Sequence, residues 1–94
     1  MRVRFTPRAR QDLAEIGDWI AADNPKAAAR MVDRLISAGE GLSRLPLRFP
    51  AANHRALRKR VVGDYILFYR VLDTVENIRI LHSARDWLSL LEEA

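Results

Sequence analysis

The chain of 94 residues has no cysteine. That excludes disulfides, thiol nucleophiles and thiolate metal sites, and it fits a reducing compartment such as the cytoplasm. Apolar runs are short. None approaches the ~18 residues that a membrane span needs, so no membrane partner is expected. The first ten residues, MRVRFTPRAR, are charged where a signal peptide needs an apolar stretch, and they read as native structure. Aromatic residues are few, at 7%, and there are only four glycines and four prolines. Each proline and glycine therefore carries positional meaning. There is no repeat and no low-complexity stretch. Paired carboxylates, metal-ligand spacings and phosphate-binding glycine loops are all missing, so no metal and no cofactor is expected.

What the chain does have is one domain's worth of apolar residues, 49% of the total. At this size about 60–65% of the unfolded chain's surface can be buried, so a bound partner would add useful stability. The formal charge is +4, and of 16 basic residues all but Lys26 and Lys59 are arginine. Charge is local. Residues 1–10 hold four arginines and no acid, and residues 11–23 hold four acids and no base. Arg55, Arg58, Lys59, Arg60 and Arg70 cluster against Asp64 alone in residues 51–70, and the last 24 residues are net acidic. Arginine favours planar contacts with phosphate or carboxylate, which points to a polyanion or an acidic partner. The alternative is a solvated, arginine-rich surface.

Hydrophobic period and punctuation divide the chain. Arg2 to Phe5 alternates as a half-buried strand, and Thr6-Pro7 ends it with a helix cap and a first-turn proline. Ala9, Leu13, Ile16, Gly17 and Ile20 then share one face of a helix over about 7–22, with Asp12, Glu15 and Asp18 falling away from it. Asn24-Pro25 repeats the start signal. A second helix over about 25–44 carries the stripe Ala28, Met31, Val32, Leu35, Gly39 and Leu42. The link is so short that the two helices must form an antiparallel hairpin. Gly17 and Gly39 on the stripes predict close approach of the backbones. Residues 45–55 read as a loop in which His54 is solvent-exposed. Strands follow at 56–62, 65–71 and 77–83, with Gly63-Asp64 as a tight turn. Asp86 can cap a last helix, Trp87 to Glu93. The predicted fold is α+β: an antiparallel sheet with a helical hairpin on one face, in the order β-α-α-β-β-β-α. Its core is drawn from Val3, Phe5, Leu13, Ile16, Ile20, Met31, Leu35, Leu42, Leu67 and Tyr69.

Alternation sorts the strand faces. Val3 and Phe5 point to the core, and Leu57 with Val61 oppose Arg58 with Arg60. Tyr65, Leu67, Tyr69 and Val71 oppose Ile66, Phe68 and Arg70. Ile78, Ile80 and His82 oppose Arg79 and Leu81. The hairpin covers one face only, which leaves arginine mixed with Ile66, Phe68 and Leu81 on the other. Arginine beside exposed apolar residues is the composition of a binding surface. The alternative is that the last helix folds over Phe68 and Leu81 and makes them core. In the same way, Arg85-Asp86-Trp87-Leu88 is either a second contact or a helix that closes the core.

Two stretches carry a resemblance that covers nearly the whole chain. Leu57 to Val71, followed by Ile78 to Asp86, resembles the end of RelE/ParE superfamily toxins, and the ParE branch matches best. The opening strand, the Thr6-Pro7 start, the helical hairpin and the Leu45-Pro46 loop agree. The resemblance implies the toxin of a type II toxin–antitoxin module of plasmid-stabilisation type. Its partner would be a cognate ParD-like antitoxin with an acidic C-terminal segment. ParE-like toxins poison DNA gyrase. RelE-like relatives instead cut messenger RNA on the ribosome, with Lys and Arg on the open sheet face and a Tyr or His near the C-terminus. One of their arginines follows the aromatic residue that opens the third strand, and here that place holds Ile66. An RNase reading would have to use Lys59, His82 and Arg85, with Arg58 and Arg70 beside them, and a partly buried, satisfied His82 is the alternative. The reading adopted is therefore a binding toxin without a full RNase set. Its antitoxin- or target-binding residues would be Arg58, Arg60, Ile66, Phe68, Arg70, Arg85 and Trp87, with nucleic acid contact possible through the arginines. A member that has lost toxicity and survives as an antitoxin-bound scaffold is a third reading.

Overall fold

A computed structural model of the protein describes residues 1–52 and 54–92. The elements are β1 (Val3–Phe5), α1 (Pro7–Ala21), α2 (Pro25–Gly41), β2 (Arg58–Val62), β3 (Tyr65–Val71), β4 (Val75–His82) and α3 (Trp87–Glu92). This is the predicted order. The expected end of the last helix at Glu93 lies outside the described residues. The sheet order is β1-β4-β3-β2. The expected antiparallel meander is present in β2, β3 and β4, and β1 joins it as a parallel edge strand.

Both helix starts follow from their capping chemistry. The Thr6 hydroxyl accepts from the Ala9 N–H at 3.1 Å, and the Asn24 amide oxygen accepts from Ala27 N–H at 3.0 Å. A proline follows each cap, where its missing N–H costs nothing. Leu13, Leu35, Ala38, Val62, Tyr65, Leu67 and Ile80 form the main core between hairpin and sheet, with Phe5, Ile16, Ile20 and Met31 packed against it. Leu42, Tyr69 and Val75 close one end with Val3. The two stripe glycines make room for side chains and not for backbone. A Cβ on Gly39 would run into the Phe5 ring, and one on Gly17 would meet the Val32 methyl at 3.3 Å. Gly63 turns the β2–β3 hairpin at φ 59°, at the first central position of a two-residue loop.

A bulge in β4 resets the strand faces. Tyr69 pairs with Asn77 and Phe68 with Arg79, which leaves Ile78 as the extra residue. Ile80 and His82 face the hairpin as expected, but Ile78 packs on the opposite side with Ile66, Phe68 and Trp87. The faces of β2 also differ from the expectation. Arg58 and Arg60 stand opposite Tyr69 and Leu67 on the hairpin face, with Val62 as the buried member, while Val61 is 63% exposed.

Candidate functional site

The sheet face away from the hairpin was expected to lie open. Leu57, Ile66, Phe68, Leu81 and Leu91 instead form a second buried cluster beneath α3. Trp87 lies across Phe68 with ring centroids 5.2 Å apart, and Lys59 sits over Trp87 at 5.5 Å. Ile66 and Phe68 are therefore core and not an exposed contact surface, and Trp87 is a half-buried closing residue. The physical reason is short reach: five residues after β4, the chain can return over the apolar strip that the hairpin leaves uncovered.

Arg79 departs furthest from expectation. It was expected on an outward face with Asp12 away from the core, yet their side chains are only 2% and 4% exposed and form an ion pair. Arg79 donates to Asp12 from Nε at 2.8 Å and from Nη2 at 3.1 Å, and from Nη1 to the Leu90 carbonyl at 3.2 Å. Asp12 also accepts the Ile80 backbone N–H at 2.9 Å. β1 is only three residues long, so β4 runs past it, and α1 satisfies the bare edge. Thr6 donates its hydroxyl to the Ile78 carbonyl, and Asp12 takes the Ile80 amide.

The other predicted arginines divide between anchoring and exposure. Arg58 donates to the carbonyls of Leu47 at 3.2 Å and Phe49 at 2.7 Å. Arg60 donates to the Ala38 carbonyl at 2.9 Å and stacks 4.7 Å over the Phe49 ring. Together with Tyr69, whose hydroxyl donates to the Pro46 carbonyl at 2.8 Å, they hold the 45–50 loop. Arg58 and Arg60 are thus structural as well as basic. Arg70 is half-exposed and shares Glu76 with Arg4. Arg85 is exposed. His54 was expected in solvent, but its Nε2 is buried without a hydrogen-bond partner among the described residues.

Two concavities stand out among the described residues. One, of 510 Å³, lies between α1 and the end of β4 and is lined by Asp12, Glu15, Trp19, Tyr65, His82 and Arg85 among others. Trp19 borders it at 79% exposure, a residue that sequence reasoning passed over. The signal was available: a tryptophan one position short of the apolar stripe has nothing to pack on. The ring of His82 meets Tyr65 edge-on at 5.3 Å, and its Nδ1 accepts the Ala84 N–H, which leaves the proton of the neutral ring on Nε2. His82 is therefore partly buried and satisfied. Burial pushes the Tyr65 phenol above its ordinary range, and the charge of Asp64 adds to this. Tyr69 is pushed up by burial against the opposing pull of the Arg58 and Arg60 charges. The second concavity, of 950 Å³, runs between α2 and β2 beside Arg34, Arg44, Arg48 and Arg60. The arginine lining of this groove beside the hairpin was not legible in the sequence, because its arginines come from three separate segments.

The nuclease candidates do not converge. His82 and Arg85 share the smaller cavity, but Lys59 pairs with Phe68 on the opposite sheet face, and Ile66 is buried in the cluster under α3. Among the described residues no group of three His, Asp or Glu could hold a metal ion, and no helix is long and apolar enough to cross a membrane.

Known proteins agree with this architecture. The family described as ParE toxin of the type II toxin–antitoxin system, parDE, matches residues 3–87. The toxin-named chain Y4kP of Sinorhizobium fredii is 36% identical over 92 residues, which is 96% of each chain. Toxin RelE2 of Caulobacter vibrioides is 39% identical over 85 residues, 89% of this chain and 97% of its own. Among solved structures, the chromosomal ParDE system of P. aeruginosa shares the fold with a TM-score of 0.77 at 18% identity, covering 87% of this chain and 95% of that one. The RelBE2 toxin–antitoxin complex of Mycobacterium tuberculosis gives 0.64 at 31% identity, covering 89% and 92%. With its sheet, hairpin and length all accounted for by these relatives, the chain belongs to the ParE toxin family of type II toxin–antitoxin systems, within the RelE/ParE superfamily.

Proposed function

We propose that this toxin works by binding and not by hydrolysis, that its target is DNA gyrase held on cut DNA, and that a cognate antitoxin neutralises it through an acidic C-terminal segment. One observation carries the first part. Cleaving RNA through its own 2′-hydroxyl needs a base, an acid and cations around one phosphate. Here Lys59 and His82 stand on opposite faces of the sheet, and the position after the opening aromatic of β3 holds the buried Ile66. A positioned cation of that kind is worth about 2.7–4 kcal/mol of transition-state stabilisation. The gyrase assignment rests on family membership. Exposed Arg70 and Arg85, and the basic groove beside α2, are the surfaces it would use against an acidic patch or against DNA.

A second reading draws on the same small cavity. Tyr65, His82 and Arg85 line it together, and relatives are named RelE2 and RelE3. In that reading the protein is a ribosome-dependent mRNA endoribonuclease with His82 and Arg85 at the phosphate. Expression in a bacterium with two parallel readouts separates them. Binding to gyrase gives chromosomal breaks with translation intact at early times. Cleavage gives codon-placed cuts in ribosome-bound message that vanish in His82→Ala or Arg85→Ala.

A further inference from the structure

The 510 Å³ cavity between α1 and the end of β4 has a lining with unmet bonding capacity. Its size lies within the range of small-ligand sites, about 300–1,000 Å³. Ile16, Tyr65 and Ile80 give it apolar walls, and Trp19 borders it at 79% exposure. An indole left so bare on a helix is a stacking platform for a planar ligand. Polar groups line the same space. Arg85 has no ion pair among the described residues. His82 uses Nδ1 to accept the Ala84 N–H, which leaves Nε2–H as a donor with no partner among the described residues. The Glu15 carboxylate accepts one bond, from the Gln11 amide at 3.0 Å, and a carboxylate has about four acceptor positions. Asp12 adds no free charge, because Arg79 neutralises it.

These groups select among ligands. An aliphatic side chain would fill the apolar walls and strand Glu15 and the His82 N–H, each cut off from water without a partner. A simple anion would use Arg85 and leave the Trp19 ring bare. A nucleobase brings a planar face, with donors and acceptors on one edge. The bases differ at that edge. Guanine carries two adjacent donors, N1–H and the 2-amino group, which match the two oxygens of one carboxylate. Beside them it carries an acceptor, O6, for an N–H. Adenine would turn its N1 lone pair toward the same carboxylate, and cytosine its N3 lone pair. Uracil and thymine have one donor between two acceptors.

We infer that this cavity binds the guanine base of a guanosine 5′-phosphate unit, either a free nucleotide or one unpaired residue of a strand. Trp19 stacks on the base, Glu15 accepts from N1–H and the 2-amino group, His82 donates from Nε2 to O6, and Arg85 holds the phosphate. The inference goes beyond both readings above. Neither of them uses Trp19 or Glu15, and His82 acts here at the base and not at the phosphate.

The test is calorimetric titration of the intact chain with GMP, AMP and guanosine, none of which has an internucleotide bond to cleave. GMP is expected to bind at least tenfold more tightly than AMP, and guanosine more weakly than GMP. Glu15→Gln replaces one acceptor oxygen with a donor, so it should weaken GMP at least tenfold and erase the preference over AMP. Arg85→Ala should bring GMP down to the level of guanosine. Trp19→Ala should weaken GMP and AMP alike, since stacking does not read the edge of the base. All three side chains are exposed, so the thermal melts should stay near that of the parent. Absence of GMP binding at millimolar concentration overturns the inference. So does equal binding of AMP, or GMP binding that Glu15→Gln and Trp19→Ala leave unchanged. A five-nucleotide oligodeoxynucleotide with one central guanine among thymines separates the two sources. Binding tighter than that of GMP assigns the site to a strand, and weaker binding assigns it to a free nucleotide; the guanine site stands in both cases.

Discussion

Replacing Asp12 with alanine removes one carboxylate that accepts three hydrogen bonds. It neutralises Arg79, which is 2% exposed, by a two-pronged ion pair at 2.8 and 3.1 Å, and it takes the Ile80 N–H at 2.9 Å. Breaking a buried ion pair from one side leaves an uncompensated charge and costs about 3–5 kcal/mol. The orphaned backbone donor falls within the same range or adds about 1–3 kcal/mol. A domain of this size is stable by only about 5–15 kcal/mol, so Asp12→Ala brings the protein close to its unfolding threshold. Arg79→Met alone leaves Asp12 buried, but with the Ile80 N–H and the nearby Arg8 still facing it at 3.9 Å. It should cost less than Asp12→Ala. The double variant Asp12→Leu/Arg79→Met leaves the Ile80 amide and the part-buried Leu90 carbonyl without their partners but no buried charge, and should lose less than the sum of the two singles. Urea denaturation followed by circular dichroism measures all three against the parent. The reasoning fails if Asp12→Ala costs under about 1 kcal/mol, or if the double variant loses as much as the two singles added together.

Three further outcomes follow from the geometry. Charge reversal at Arg58 and Arg60 should lower the thermal midpoint along with any toxicity, because Arg58 holds the loop carbonyls of Leu47 and Phe49 and Arg60 holds the Ala38 carbonyl of α2; an unchanged melt would make them surface residues. Truncation after Asp86 uncovers Ile66, Phe68 and Leu81 and removes the buried Leu91, itself worth about 1.5–3 kcal/mol, so the shortened chain should melt markedly earlier; loss of toxicity with an intact melt would make α3 a contact and not a closure. The Tyr65 pKa is raised above 10.0 in the fold, so the folded state holds that proton more tightly. Its contribution is complete below pH 10 and is lost as pH rises through the folded value, and Tyr65→Phe should flatten the alkaline limb of the stability profile; an unchanged limb would refute the burial argument.

The elements were legible because their boundaries are chemical. Thr6-Pro7 and Asn24-Pro25 start helices by satisfying first-turn amides, and Gly63-Asp64 turns a hairpin, so these signals act over three or four residues. The site was less legible because its facts are not local. Strict alternation put Ile78 on the wrong side, since nothing in the sequence marks the bulge opposite Phe68 and Tyr69, and it set Arg79 on the correct side but in solvent, where the structure buries it against Asp12. A lone arginine in the apolar run Ile78 to Leu81 was the usable sign of a buried carboxylate, and Asp12, next to Leu13 on the edge of the stripe, was in reach. The closing of α3 over Phe68 had been one of two readings, and composition cannot choose between a helix that covers a strip and a partner that does. The groove beside β2 depends on where residues 50–51 stop along the strand, which no pattern encodes.

The claim that this toxin acts by binding gyrase is tested most directly with purified components. Gyrase, relaxed plasmid and ATP are incubated with the toxin freshly separated from its partner. The account predicts that supercoiling stops and that linear, protein-linked DNA accumulates in proportion to toxin. Full supercoiling with no cleaved DNA, alongside toxin-dependent cuts in message on purified ribosomes, would contradict it.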